Sequence, residues 1–156
     1  PAGENIVYKD LKQQTVISQK QIFENQFLLT DSIQSAQWKI LPETRTIAGF
    51  ECHKALAKIC DSVVVVAFYT DEIIPSTGPE SFSGLPGMIL EIAIPRLYTT
   101  WTATKFENLT STDEKKLAPP SKGKKANEKE MLDKIKDGIK DWGDKYYHRA
   151  IWFASL

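Results

Sequence analysis

The chain has 156 residues, 42% of them apolar and 26% charged, and its twenty basic and twenty acidic residues cancel. That length can bury a core without covalent staples, and that composition excludes a disordered chain. The balanced charge excludes recruitment to nucleic acid or an anionic membrane by an overall field, and the longest apolar run, 63–69, is far too short to span a bilayer.

In chain order, short β-rich runs come first. Residues 6–9, 15–19, 21–23 and 27–30 read as strands separated by polar turns at 10–14 and 24–26. Residues 37–41 read as another strand, stopped by Pro42. From 49 to 57 the pattern alternates, with Phe50, Cys52 and Leu56 on one side and Glu51 and His53 on the other. A turn at 58–62 leads into 63–70, which is apolar on both faces and rich in β-branched residues, the composition of a central strand.

A long connection, 71–86, is dense in Pro, Gly and Ser. Beyond it lie a strand at 88–94, a turn at 95–98 and a Thr-rich strand at 99–109. Residues 110–126, with Pro119-Pro120 and a Lys/Ser/Gly tract, read as an exposed linker. Over 127–142 the period becomes helical: Met131, Leu132, Ile135, Ile139 and Trp142 share a face, Asn127 and Glu130 form a capping pair, and Gly143 is the stop. The aromatic segment 146–153 reads as a last strand. The expected fold is mainly β, formally α+β: a curved antiparallel sheet, open barrel or sandwich with a C-terminal amphipathic helix. The whole chain, 1–156, reads as one domain, with a β-rich core over 1–109, the linker at 110–126, and 127–156 packing on the core.

Catalytic constellations are not evident. The two histidines, His53 and His148, have no Gly-x-Ser-x-Gly elbow to serve, and no Walker or dinucleotide glycine pattern opens a helix. Cys52 and Cys60 are eight residues apart, roughly 26 Å along a strand, whereas a bridge needs Cα atoms about 4.4–6.8 Å apart. Two thiols with Cys52 in the core are expected. Cys52 and His53 point to opposite faces and cannot share a metal ion. The carboxylates Asp71-Glu72, before Ile73, and Glu80 and Glu91, flanking the loop, are pairs a glycosidase could use, though any acidic residues offer such candidates. No cofactor or metal is expected, and the chain reads as non-catalytic.

The long connection stands out. Pro75, Gly78, Pro79, Phe82, Gly84, Leu85, Pro86 and Gly87 lead to the mouth of the 88–94 strand. Proline followed by glycine favours a type II turn with positive φ at Gly87. The apolar side chains Ile74, Phe82 and Leu85 are expected to point inward. Such a loop suits either a plug at the end of a sheet or a preorganised docking surface, and the plug is favoured.

The segments QWKILPETRTIAGFECHKA and TDEIIPSTGPESFSGLPGMILEI together resemble the GLPGLI family of bacterial envelope proteins over roughly residues 25–107. Trp38, Lys39, Gly49, Cys52, Lys54, Ala55 and the Gly84–Gly87 loop carry the likeness. The resemblance implies a periplasmic or extracellular β-rich protein with no established activity. The chain starts at Pro1, which is compatible with a cleaved export signal or a trimmed chain. Family members commonly have more β sequence before this region, which would leave a sheet edge for a sister chain to cover. The functional expectation is a non-catalytic envelope module binding a protein or glycan partner. The alternatives are a carrier of an apolar ligand on the concave face and an unrecognised hydrolase.

Overall fold

The computed structural model describes residues 5–108 and 117–156. They form two compact units, one holding residues 5–33 and 117–156 and the other residues 34–108. The described residues are mainly β, as the alternation predicts, with two sheets that do not close into a barrel and two α-helices.

In the first unit, β1 (Ile6–Asp10), β2 (Thr15–Ile22) and β3 (Asn25–Ser32) form an antiparallel meander. The runs expected at 15–19 and 21–23 are one strand, because β2 pairs without interruption from Thr15↔Ser32 to Ile22↔Asn25. The Asp10 carboxylate accepts from the amides of Lys12 and Gln13 at 2.9 Å and so folds the β1–β2 turn. A strand absent from the sequence reading, here numbered β9 (Lys124–Ala126), runs parallel to β3 with Phe27 opposite Lys124. It occupies the end of the tract expected to be an exposed linker.

Helix α1 (Glu128–Ile139) begins where its cap predicts. The Asn127 side chain accepts from the Glu130 amide at 2.8 Å, and the Glu130 carboxylate accepts from the Asn127 amide at 3.3 Å. Its apolar stripe, Met131, Ile135 and Ile139, packs with Phe27 of β3 and Ala154. The segment expected as a last strand is helix α2 (Asp144–Ala154). Tyr147, Ala150, Ile151 and Ala154 join the same cluster at helical spacing, which a strand could not present on one side. Gly143, at φ +82°, joins the helices and caps the start of α2. At the other end of α2, the Lys20 ammonium donates to the Ala154 carbonyl at 2.8 Å, a buried cation set against the negative end of the helix.

The second unit is a five-stranded antiparallel meander: β4 (Lys39–Ile47), β5 (Phe50–Ile59), β6 (Val63–Thr70), β7 (Met88–Ile94) and β8 (Thr99–Thr102). Pro42 does not stop β4. The strand lies at the sheet edge and its register shifts between Ile40 and Thr44, so a missing amide there breaks no regular ladder. Gly49 belongs to the β4–β5 turn instead of the strand, with Ala48 and Gly49 both at positive φ, as a two-residue hairpin loop of the I′ kind requires. β8 is much shorter than the strand expected over 99–109. It ends at Thr102, and 103–108 is irregular, while 109 lies outside the described residues.

Directly opposed residues in this sheet share a face. Ala55, Ala67 and Ile92 form one fully buried row across the three central strands. Lys54, Phe68, Glu91 and Thr102 form a row on the other face.

Candidate functional site

The connection between β6 and β7 is built around backbone contacts that exclude side chains. Gly87 has φ +155°, and a Cβ there would lie 2.0 Å from the Thr70 carbonyl oxygen. Gly84, at φ +95°, faces Ser35, whose Cβ would lie 2.7 Å from an added Cβ. Gly78 lies against Ile89, with 2.8 Å to its Cβ. The amide of Gly87 donates to the Leu85 carbonyl at 2.8 Å, so Pro86 is the centre of a γ-turn; the expected type II turn is not formed.

Polar groups stitch the loop to its surroundings within the unit. The Ile89 amide donates to Thr77 O at 2.8 Å, and the Phe82 amide to Pro79 O at 3.1 Å. The Ser76 hydroxyl donates to Leu85 O. Trp38 Nε1 donates to Ser83 O, and Ser83 Oγ to Gln34 O, each at 2.8 Å. Phe82 and Leu85 are buried, with the Phe82 ring 6.4 Å from that of Trp38. Ile74 departs from expectation: it is 93% exposed, because the neighbouring Ile73 takes the inward position beside Cys52 and Leu90. Pro75, Gly84 and Pro86 are exposed, and Gly78 and Pro79 half-buried.

Beside the loop, Glu91 is buried with both carboxylate oxygens engaged. Arg45 Nη1 lies 2.6 Å from Oε1, and the Thr102 hydroxyl donates to Oε2 at 2.9 Å. The same guanidinium lies 5.3 Å from the Phe68 ring centre. This pairing was not legible in the sequence, since the three residues meet only through sheet register. A buried carboxylate with a partner on each oxygen has the arrangement of a structural ion pair. Of the other acidic candidates, Glu72 accepts from the Glu51 amide at 3.3 Å, and Glu80 sits at φ +48°.

Cys52 and Cys60 are not joined by a disulfide. Cys52 is buried and Cys60 exposed at the β5–β6 turn. Burial pushes the Cys52 thiol up from its ordinary value near 9.0, and burial also raises the Tyr69 phenol, with Asp71 adding to it. Stability from these two neutral groups is therefore intact below about pH 9 and is lost as pH climbs through their folded values, since the unfolded chain ionises first. In a Cys60→Ser chain, Cys52 should resist a thiol reagent at pH 8 and react fully in denaturant. Rapid native modification, followed by thiol titration, would show the site is open.

His53 lies 5.8 Å from the Tyr69 ring, and His148 is stacked on Trp152 at 5.8 Å within α2. Among the described residues, no group of three His, Cys, Asp or Glu side chains is placed to hold a metal ion. No helix among them is long and apolar enough to cross a membrane.

One unit holds a four-stranded sheet with two helices and the other a loop-closed five-stranded antiparallel meander, which makes the described residues mainly β. Over residues 2–133 the chain matches the model of the N-glycanase peptide N-terminal domain, and it belongs to that family. Solved structures of PNGF-II share the fold. In space group P21 the TM-score is 0.58 at 17% identity over 78% of this chain, and in C2 it is 0.59 at 16% identity over 96%. The chain spans only about a quarter of their length, 23% and 25%. A comparison with curated proteins gives no match.

The family match overturns the resemblance to GLPGLI envelope proteins and, with it, the reading of the chain as a non-catalytic envelope module of unknown role. The residues that suggested the resemblance have ordinary structural duties here. Gly49 makes a hairpin turn, Ala55 and Cys52 fill buried positions, and Gly84–Gly87 brings a loop close to backbone. Those duties recur wherever sheets are closed by tight loops.

Proposed function

We propose that the chain serves N-glycan cleavage as the N-terminal domain of an N-glycanase, engaging the glycoprotein while residues outside this domain cleave the bond. The observation that carries this reading is the family match over 2–133. The division of labour is supported by chemistry: the buried carboxylate of the second unit is committed to Arg45 and Thr102, and the described histidines are packed on aromatic rings. N-glycans are carried by secreted and surface proteins, so we place the working site outside the cytoplasm, in the periplasm or beyond the cell. Incubated alone with an N-glycosylated protein, the chain should release no glycan detectable by mass spectrometry. Sustained release that survives repurification would move the chemistry into this domain.

A further inference from the structure

At the β2–β3 turn and the α1–α2 junction the first unit displays large aromatic rings to solvent. Phe23 is 49% exposed, Trp142 57% and Tyr146 63%. Phe23 and Trp142 meet edge to face with ring centres 6.3 Å apart. Tyr146 lies in the first turn of α2, four residues beyond Trp142.

The backbone is specialised for this display. Ile22 pairs with Asn25, leaving Phe23 and Glu24 as a two-residue hairpin loop. Phe23 has φ +53°, a conformation that hairpin loops ordinarily assign to glycine or asparagine. The Gln21 side-chain amide donates to the Phe23 carbonyl at 3.0 Å and braces the turn. Opposite stands Gly138, inside α1, where glycine weakens a helix. A Cβ there would lie 2.8 Å from Phe23 Cε2 and 3.1 Å from Cζ, so the ring rests on helix backbone that only glycine exposes. Two locally unfavourable choices thus hold one aromatic ring at the surface. Despite these contacts the residue remains 49% exposed.

We propose that Phe23 and Trp142, with the exposed Tyr146 four residues further along the chain, form a carbohydrate-stacking surface that holds a sugar of the N-glycan. This rests on the N-glycanase reading above. The C–H faces of a pyranose ring are weakly positive and apolar, and they stack on the negative faces of aromatic rings. The ring's hydroxyls need polar partners at the edge, and exposed Gln21, Glu24, Asp141 and Asp144 flank the three aromatics in sequence. A protein partner is disfavoured by size: three half-exposed rings supply a few hundred Å², against about 1,000 Å² for a specific interface. The surround, with Glu24, Asp141 and Asp144 against Lys140 and Lys145 in sequence, has no basic cluster, which disfavours an anionic lipid surface.

The test titrates the full chain with an Asn-linked high-mannose glycopeptide and with the same peptide lacking sugar, following the Trp142 indole resonance by NMR. The expected result is glycan-dependent binding that shifts that resonance. Binding should weaken at least tenfold in Trp142→Ala and in Phe23→Gly. The second variant relieves the positive φ, so it removes the ring without unfolding the turn. Equal binding by wild type and both variants would overturn the surface while leaving the N-glycanase reading intact. Absence of glycopeptide binding, or self-association in sedimentation that Trp142→Ala abolishes, would also overturn it. Failure of the N-glycanase reading itself would be seen separately, in the glycan-release rate of a PNGF-II chimera carrying this domain.

Discussion

Gly87→Ala should destabilise the protein by about 4 kcal/mol or more, enough to leave much of it unfolded at 37 °C if its total stability is the usual 5–15 kcal/mol. The atoms an added Cβ would strike are backbone: Thr70 O at 2.0 Å, Thr70 C at 2.7 Å and Asp71 Cα at 3.0 Å. No rotamer change can remove that overlap. Relief requires Thr70, buried at the end of β6, to move away from β7, with which it pairs through Met88. The comparison is Gly49→Ala, where nothing lies within 4 Å and only the positive φ opposes the substitution. That variant should lose about 1 kcal/mol. Urea unfolding followed by circular dichroism measures both. If the two variants lose similar amounts, the close approach of the loop to β6 is wrong.

Arg45→Met should cost roughly 2–3 kcal/mol, below the 3–5 kcal/mol typical of fully buried pairs because the Arg45 side chain is itself 54% exposed. The loss comes from Glu91, whose side chain is 7% exposed and would keep only the Thr102 hydroxyl as its partner. Removing the carboxylate as well should recover most of that stability, so Arg45→Met with Glu91→Leu should unfold near the wild-type midpoint. Additive losses in the double variant would mean that the pair is not coupled.

How far these features were legible follows from the residues. β6 and β7 occur at the residues read from the sequence because Val63–Thr70 and Met88–Ile94 are predominantly apolar runs, the first rich in β-branched residues, bounded by turn residues. The α1 cap was legible because both partners are local, three residues apart. α2 was misread because Tyr146, Tyr147, Trp152 and Phe153 look like strand composition. The helical spacing of Tyr147, Ala150, Ile151 and Ala154 was the available signal. β9 left none, since a Lys-Lys-Ala strand is held by backbone pairing to β3.

The loop stood out in the sequence by its prolines and glycines, yet its direction was only partly legible. Ile73 and Ile74 are chemically identical, and the choice of which one is buried is made by Cys52 and Leu90 on other strands. Arg45, Glu91 and Thr102 are likewise joined by register. The aromatic surface depends on a turn and a helix glycine more than a hundred residues apart. Neither constellation has a contiguous motif, and the family assignment came from comparison over most of the chain.

The most direct test of the account replaces the matching N-terminal part of PNGF-II with this chain and measures glycan release from an N-glycosylated protein. The chimera should retain kcat/KM within about tenfold of the parent, while a protein lacking the domain should fall at least about tenfold below the chimera. A chimera no better than the deletion would contradict a role for this chain in N-glycan cleavage.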